Sequence, residues 1–266
     1  MLTSAEIGQF QAFGYIPLRG AIPEAERTHL ETVFERVMAD APVYNYFADN
    51  GTQTLSPFVQ ADPALSALVE NAAMLEAMRD IWGRECLYNG GSDMWINRDD
   101  TPWHTDGKPG RHELTLKAAI YLDEQTGEQG SLNLLPGSHL PEFSAALFRG
   151  CGEYDRGRPR LRLDPRAVPG AVSVHTRPGD IVLWDNRLWH SAFRRQDGRP
   201  RRALFVGFTP DPGEDVLAIG NLRRTVADHL SETMPVLFPE AMPADASPAR
   251  MRMAARLEEL GVENVR

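Results

Sequence analysis

From Gly83 onward the chain is divided into short segments rich in β-branched and aromatic residues, which are separated by clusters of Gly, Pro and Asp. The segments read DMWIN, LTLKAAIYL, SLNLLP, AVSVHT, DIVLWD, LWHSAF and RALFVGF. Short strands with turn signals between them are typical of a β-sandwich or a β-barrel. No stretch of helical periodicity intervenes, which disfavours a doubly wound α/β sheet. We therefore predict a β core over about residues 84–210.

The two flanks of this core carry helical patterns. Thr3 and Glu6 have the spacing of a capping box, in which each side chain satisfies a free amide at the start of a helix. Apolar residues at helical spacing indicate further helices. The predicted helices cover residues 3–13, 23–39, 62–78 and 248–260. The expected fold class is mainly β with flanking helices, and we predict that residues 1–266 form a single domain.

The composition limits the classes of partner. An apolar content of 42% and a charged content of 24% are ordinary for a soluble globular protein. The net charge of −9 disfavours nucleic acid as a partner, because binding phosphates requires a basic face. Cys86 and Cys151 have no redox or metal-binding spacing, and neither a signal peptide nor a membrane-spanning run is evident. We expect a cytoplasmic protein that acts on a small molecule, without a membrane partner.

The stretch TPWHTDGKPG contains a candidate pair of metal ligands. His104 and Asp106 are two residues apart, and residues i and i+2 of a strand point to the same face. The pair therefore aims an imidazole and a carboxylate into one space. A catalytic metal needs a third ligand from a distant strand, and the other histidines limit the choice.

His190 is the best candidate for that third ligand. It lies in PGDIVLWDNRLWHSAF, where a Pro-Gly turn precedes a strand, a polar turn and a second strand. The remaining histidines lie on helices, in a charged turn, in the LPGSH loop or within a strand: His29, His112, His139, His175 and His229. Two histidines and one carboxylate on one face of the metal are the ligands typical of non-haem Fe(II) oxygenases.

Five arginines follow His190 between residues 194 and 202. A guanidinium pairs with a carboxylate through two hydrogen bonds. An arginine on the strand that follows His190, the distal histidine, therefore suits the carboxylate of a dicarboxylic acid that lies away from the metal. Arg201 and Arg202 point to opposite faces of their strand, and alternation alone does not decide between them. Arg194, Arg195 and Arg199 are expected to belong to a solvated turn.

Several of these motifs together resemble the phytanoyl-CoA dioxygenase family of Fe(II)- and 2-oxoglutarate-dependent oxygenases. The resemblance includes the opening LTSAEIGQFQAFGYIPLRG, the His-x-Asp of WHTDG and the strand LKAAIYLDE. It continues through GSLNLLPGSH and GDIVLWDNRLWHSAF, up to about residue 210. It implies a double-stranded β-helix, a jelly roll similar to that of cupins, as the core.

The resemblance assigns a role to particular residues. It makes His104, Asp106 and His190 the iron ligands, and it places the 2-oxoglutarate arginine eleven residues after the distal histidine, at Arg201. Trp184 corresponds to an aromatic residue that lines the cosubstrate pocket. A serine that often assists the same carboxylate stands two residues after the distal histidine, where this chain has Ala192; Ser191 is the nearest serine. Further candidates for contact with cosubstrate or substrate are Asn97 and Lys117.

The implied activity is the hydroxylation of an unactivated C–H bond with Fe(II), 2-oxoglutarate and O₂, releasing succinate and CO₂. Desaturation, epimerisation and cyclisation use the same site, whereas halogenation needs a small residue in place of Asp106. A non-catalytic sensor and a zinc hydrolase with the same ligands are the other interpretations. The intact triad with Arg201 disfavours the sensor, and no hydrolytic base is evident. The Ala-, Arg- and Pro-rich composition favours a bacterial biosynthetic enzyme.

The substrate is expected to be selected by loops, since loops vary most freely. Candidate loops are residues 40–60, 107–114 and 141–170. The last of these is long and basic with little strand pattern, so it is a candidate lid. Its arginines are expected to attract an anionic substrate: Arg149, Arg156, Arg158, Arg160, Arg162 and Arg166.

Overall fold

The computed structural model describes residues 1–41, 52–106, 115–127, 129–155, 157–230, 235–238 and 247–265. The strands are β1 Tyr15–Leu18, β2 Gln53–Leu55, β3 Cys86–Asn97, β4 Thr101–His104, β5 Leu116–Tyr121, β6 Leu132–Leu134, β7 Gly152–Asp155, β8 Arg158–Leu161, β9 Val172–Val174, β10 Ile181–Asp185, β11 His190–Ala192 and β12 Arg201–Pro210. The helices are α1 Ser4–Phe13, α2 Glu24–Met38, α3 Pro63–Ala67, α4 Ala72–Trp82, α5 Pro141–Cys151, α6 Val216–His229 and α7 Pro248–Glu259.

The strands form two sheets that face each other. The first sheet has the order β1-β10-β5-β12-β3-β2, and the second has the order β7-β8-β4-β11-β6-β9. All of the pairings between these strands are antiparallel. Trp184 and Ala203 of the first sheet share one buried cluster with Leu132 and Leu134 of the second. The predicted fold class, a double-stranded β-helix with flanking helices, is confirmed.

The outer face of the first sheet carries most of the hydrophobic core. Met94 and Leu204 on this face pack with Phe34 of α2 and Met78 of α4 in the largest cluster. Because α2 and α4 each bury one apolar face there, the helices that flank the strands in sequence also cover them in space. This packing leaves the inner faces of both sheets to form the site.

The predicted start of the chain is confirmed in detail. Thr3 and Glu6 form the capping box, and Gly14 ends α1 in the left-handed conformation with φ of 82°. A Cβ atom at Gly14 would lie 2.5 Å from Nδ1 of His139, so the glycine also allows the close approach of the LPGSH loop. The Asp62 side chain caps α3 by accepting from the amide of Ala64.

Three elements differ from the prediction. The single helix predicted over residues 62–78 is two helices, α3 and α4, because Asn71 between them leaves the helical conformation with ψ of 117° and caps α4. Residues 141–151 form helix α5, although no helical periodicity was expected inside the β core, and the adjoining residues form the hairpin β7–β8. Leu147, Phe148 and Cys151 of this helix pack against the buried cluster that covers the outer face of the second sheet. β2 was also unpredicted, because three residues are too few to show alternation.

The proposed loops are only partly described. Residues 42–51 and 107–114 lie outside the described residues, together with His112 and Arg156. Within the described segments, no helix combines the length and the apolar character needed to cross a bilayer.

Candidate metal and cosubstrate site

His104, Asp106 and His190 meet at one end of the space between the sheets. His104 ends β4 and His190 begins β11, and the two are cross-strand partners in the second sheet. Asp106 follows two residues after His104, and its amide donates to the carbonyl oxygen of Asn186. One ligand atom from each of the three residues lies within 4.8 Å of the other two. The prediction that these distant side chains converge is confirmed by this geometry.

Both imidazoles are oriented by the backbone. Nδ1 of His104 lies 2.8 Å from the carbonyl oxygen of Pro102, and Nδ1 of His190 lies 2.9 Å from that of Leu188. A carbonyl oxygen only accepts, so each Nδ1 carries the proton and donates. Each Nε2 is then left with its lone pair directed at the shared space. Such contacts fix the tautomer and ring orientation of a metal-binding histidine.

The charges in this cluster favour a metal-binding protonation state. Burial lowers the pKa of His190 to about 3, with a further contribution from His104, so the ring is neutral at pH 7. Burial alone would raise the pKa of Asp106, but the charge of Lys117 holds it well below its usual range. Lys117 Nζ donates to Asp106 Oδ2 at 3.0 Å. A carboxylate and two neutral imidazoles are the forms that bind metal.

The dimensions also suit a single ion. Asp106 Oδ1 lies 3.6 Å from Nε2 of His104, and Asp106 Oδ2 lies 3.5 Å from Nε2 of His190. Two ligands about 2.1 Å from one metal at a right angle are about 3 Å apart. The donor set of two imidazoles and a carboxylate on one side of the space matches the facial triad of non-haem iron.

The structure distinguishes Arg201 from Arg202. Arg201 is 5% exposed, points between the sheets and donates to the carbonyl oxygen of Phe193 at 3.0 Å. Arg202 points outward, where it pairs with Asp123 at 2.6 Å and Glu35 at 2.7 Å. No carboxylate of a described residue lies within ion-pairing distance of Arg201. A buried guanidinium without an anionic partner suits the distal carboxylate of a dicarboxylic acid.

Aromatic side chains line the space between Arg201 and the triad. The Trp184 ring lies 5.6 Å from that of His190 and 6.1 Å from that of Phe205. Its indole N–H is buried and makes no hydrogen bond to any described residue, so it can donate to a bound molecule. Tyr121 lies on the same inner face, where burial raises its pKa to about 12, partly offset by the charge of nearby Arg201. This phenol is therefore protonated and able to donate.

Two of the predicted pocket residues fit this space less well. Ser191 follows His190 on β11, so it points to the opposite face of the sheet and does not join the other candidates. Asn97 is the cross-strand partner of Arg201, but its Oδ1 accepts from the amide of Asp99 at 2.7 Å. Ala192, on the same face as His190, occupies the place where a serine was expected from the resemblance.

Sequence reasoning missed several residues of this space. Tyr121, Asp93 and Phe205 lie on the inner face of the first sheet, and Lys117 contacts the last two, 3.7 Å from Asp93 and 5.2 Å from the Phe205 ring centroid. Alternation from Lys117 along β5 and from Arg201 along β12 would have found Tyr121 and Phe205. Asp93 needed the pairing of β3 with β12, which is not local.

The other histidines in the described part of the chain take no part in a comparable cluster. His139 contacts the carbonyl oxygen of Gln11, and burial lowers its pKa. His175 is exposed. Among the described residues, the triad is the one group of three or more His, Cys, Asp or Glu side chains that is arranged to hold a metal ion.

Comparison with known proteins gives the same chemistry. The profile of the family described as Phytanoyl-CoA dioxygenase (PhyH) matches residues 10–203. A probable alpha-ketoglutarate-dependent hypophosphite dioxygenase from Stutzerimonas stutzeri is 24% identical over 196 residues, covering 70% of this chain and 68% of the relative. The ectoine dioxygenase of Sphingopyxis alaskensis is 22% identical over 236 residues, covering 77% of this chain and 75% of the relative.

A solved structure shares the fold. The epimerase SnoN in complex with Fe3+, alpha ketoglutarate and nogalamycin RO superposes with a TM-score of 0.64 at 17% identity, covering 78% of this chain and 83% of the other. At that identity the likeness concerns the arrangement of the two sheets and their helices.

Proposed function

The chain belongs to the phytanoyl-CoA dioxygenase family and is a 2-oxoglutarate-dependent non-haem iron dioxygenase, and from this premise we propose that it hydroxylates a C–H bond of a small biosynthetic intermediate. The observation that carries the proposal is the shared space between the sheets. It presents the triad and the buried Arg201 on inner faces of the two sheets. We propose that residues 1–266 act together as one catalytic domain.

In this proposal His104, Asp106 and His190 hold the iron. The carbonyl oxygens of Pro102 and Leu188 fix the two imidazoles through their Nδ1 protons. Lys117 restrains the carboxylate by donating to Oδ2. When bound, iron and 2-oxoglutarate supply an oxidation by O₂ that releases succinate and CO₂ and places a hydroxyl group on the substrate.

Arg201 anchors the distal carboxylate of 2-oxoglutarate. Its guanidinium is ordered by the Phe193 carbonyl oxygen and has the planar fork that matches a carboxylate. Tyr121 and the indole N–H of Trp184 are placed to donate to the same molecule. Trp184 and Phe205 also exclude water, which strengthens every charged contact inside this space.

The first experiment is an anaerobic titration of metal-free protein with Fe(II) and then with 2-oxoglutarate. A chelated keto-acid gives a weak visible charge-transfer band, which we expect for the natural sequence. His104→Ala abolishes the band, while His175→Ala, at an exposed position away from the cluster, retains it. Iron binding without any band in the natural sequence would remove the oxygenase proposal and leave a sensor or a hydrolase.

A second part of the titration tests the role of Arg201 in binding 2-oxoglutarate. Arg201→Ala is expected to raise the 2-oxoglutarate concentration for half-saturation by at least about 30-fold, because a buried charged hydrogen bond is lost. Arg202→Ala is the matched control, since its side chain on the outer face pairs with Asp123 and Glu35 instead. Equal effects of the two changes would contradict the role of Arg201.

The products distinguish hydroxylation from the other outcomes of the same site. Desaturation, epimerisation and cyclisation depend on how the substrate is placed, so mass analysis of the product is required once succinate release identifies a substrate. Both cysteines, Cys86 and Cys151, are free, and we propose a reducing, cytoplasmic location.

A further inference from the structure

Strand β3 contains a bulge where it pairs with β12. Residues 89–91 of β3 stand opposite the single residue Gly207 of β12. The segment reads Asn-Gly-Gly, and Gly90 in its middle has φ of 88°, a conformation that favours glycine. Bulges re-aim side chains and are common next to active sites. The side chain that this bulge re-aims is that of Asn89.

The Asn89 side chain lies over Gly207 on the inner face of the first sheet. A Cβ atom at Gly207 would lie 2.7 Å from Oδ1 of Asn89, so the glycine makes room for the amide. Gly207 is the cross-strand partner of Lys117, and directly opposite residues share one face of a sheet. Lys117 in turn donates to Asp106 of the triad. The Asn89 amide is therefore next to the residue that contacts the triad.

The two ends of this amide differ in their hydrogen bonding. Oδ1 accepts from the backbone amide of Gly91 at 3.0 Å, which requires the oxygen at this position. Nδ2 makes no hydrogen bond to any described residue, although Asn89 is only 4% exposed. A buried N–H group without a partner is costly, so an acceptor that binds here is stabilised. Asn89 thus offers a donor to a ligand.

Asn89 forms part of the wall of a pocket between α6 and the end of the first sheet. The pocket has a volume of about 140 Å³. A cavity of about 150 Å³ holds one benzene ring, so a single six-membered ring fits. Its wall combines polar neutral groups with apolar ones, including Asn89, Thr115, Thr209, Thr225, Ala218 and Leu222.

The pocket lies beyond Lys117, at the opposite end of the inner face from Arg201. Thr115 continues the pairing of β5, since its carbonyl oxygen accepts from the amide of Asn186. It precedes Lys117 by two residues on the same face, which is about 7 Å along the strand. Arg201 begins β12, whereas Gly207 lies near its other end. A cosubstrate that extends from Arg201 to the triad therefore leaves this pocket to the substrate.

The charges near the pocket do not call for a charged ligand. Arg84 and Asp215 also line it, but Arg84 donates to a backbone carbonyl oxygen at 3.4 Å, and Asp215 accepts from two amides at the start of α6. The arginines of residues 141–170 suggested an anionic substrate. Of these, Arg160 has Asp155 of the same hairpin at 3.9 Å. The available donor at Asn89 is neutral and suits a neutral acceptor.

We propose that this pocket binds an uncharged six-membered ring that carries hydroxyl groups, as in a sugar or a cyclitol, and that Asn89 Nδ2 donates to one of its oxygens. Such a ring has hydroxyl groups at its edge and C–H groups on its faces, which match the threonines and the apolar side chains of the wall. This inference rests on the proposed function and deepens it, because it names the class of substrate that the oxygenase accepts.

The test is saturation-transfer NMR on the protein loaded with Zn²⁺ and 2-oxoglutarate, where zinc replaces iron and prevents turnover. The probes are myo-inositol and methyl glucoside, with cyclohexanol as a ring of the same size that has one hydroxyl group. Both polyols are expected to bind at least about fivefold more tightly than cyclohexanol, the change in affinity that one hydrogen bond provides. Glucuronate and glucosamine, which carry a charge, are expected to bind no more tightly than methyl glucoside.

Three variants assign the binding to this pocket. Asn89→Asp keeps an oxygen for the amide of Gly91 but removes the donor, and is expected to weaken binding of both polyols at least about fivefold. Ala218→Phe fills the pocket and is expected to abolish binding. Ala227→Phe makes the same change at an exposed position of α6 and is expected to retain it. A thermal melt of each variant separates a loss of fold from a loss of binding.

The outcomes separate this inference from the proposed function. No binding of either polyol, tighter binding of cyclohexanol, or tighter binding of a charged sugar would overturn the proposed class of ligand. Unchanged polyol binding in folded Asn89→Asp or Ala218→Phe would overturn the assignment to this pocket. In each case the charge-transfer band with Fe(II) and 2-oxoglutarate would still support the oxygenase. Absence of that band in the natural sequence would instead remove the proposed function.

Discussion

The rings of His104 and His190 face each other across β4 and β11 with their centroids 4.1 Å apart, and each is held by a backbone carbonyl oxygen two residues earlier in the chain. The register of two strands therefore sets the spacing of the two imidazoles. Since backbone carbonyls provide the orientation, no side-chain substitution at Pro102 or Leu188 removes it directly.

This arrangement makes the metal-free protein sensitive to acid. Burial lowers the pKa of His190 to about 3, whereas the unfolded chain takes up the proton near the ordinary histidine value of about 6.5. Stability is therefore fully present above that value and is lost as the pH falls from about 6.5 towards 3, by at most about 1.4 kcal/mol per pH unit for one proton.

Thermal melts in the presence of a chelator measure this effect. The melting temperature of the natural sequence is expected to fall more steeply between pH 7 and pH 5 than that of His190→Gln. Burial also lowers the pKa of His139 and His229, so their contribution is common to both proteins and cancels in the comparison. Parallel pH profiles would contradict the neutral, buried state of His190.

Lys117 and a bound metal ion are both expected to stabilise the Asp106 carboxylate through their positive charge. Removing one partner of a fully buried ion pair costs about 3–5 kcal/mol, and this pair is partly buried, with side chains 20% and 21% exposed, so the cost is smaller and Lys117→Met lowers the melting temperature of the metal-free protein by a few degrees. A bound divalent ion restores the missing positive charge. The rise in melting temperature on adding Zn²⁺ or Ni²⁺ is therefore larger in Lys117→Met than in the natural sequence. Lys117→Arg keeps the charge, and an equal metal response in all three proteins would contradict the pairing.

The indole N–H of Trp184 is expected to contribute to 2-oxoglutarate binding. Trp184→Phe keeps a ring beside His190 but removes the donor, and the loss of one hydrogen bond of about 1 kcal/mol weakens binding roughly fivefold. Trp189→Phe is the matched control, because its N–H donates to Ser144 on the outer face. Calorimetric titration of the metal-loaded protein with 2-oxoglutarate measures both. A larger effect from Trp189→Phe would contradict this placement.

The features that the sequence alone did not predict depend on contacts between residues that are distant in the chain. Alternation showed that Arg201 and Arg202 point to opposite faces, yet only the packing of β12 against β5 and β3 shows which face is enclosed. The same alternation already implied that Ser191 points away from His190. Arg160 was recognised only as one of several basic residues, because its pairing with His104 joins distant parts of the chain.

Helix α5 was not predicted, whereas the ends of helix α1 were. Its apolar residues include Phe143, which is exposed, and Phe148, which stacks on Trp189 with ring centroids 6.3 Å apart. A contact of this kind is not visible in the periodicity of the segment. The capping box of α1 and the end of that helix at Gly14 were predicted because all of their determinants lie within a few residues.

Replacement by alanine is expected to change the free energy of unfolding in opposite directions at Gly8, inside α1, and at Gly14, which ends this helix. Gly8 lies inside the helix, and a Cβ atom added there would have no other atom within 4 Å, so Gly8→Ala is expected to stabilise the protein by about 0.5–1 kcal/mol through lost chain entropy. At Gly14 the φ of 82° costs alanine about 1–2 kcal/mol, and the added atom would also lie 2.5 Å from His139 Nδ1. Gly14→Ala is therefore destabilising by more than that amount, as measured by denaturant unfolding. If Gly14→Ala cost no more than the 1–2 kcal/mol expected from its φ alone, the contact between α1 and the LPGSH loop would not be as described.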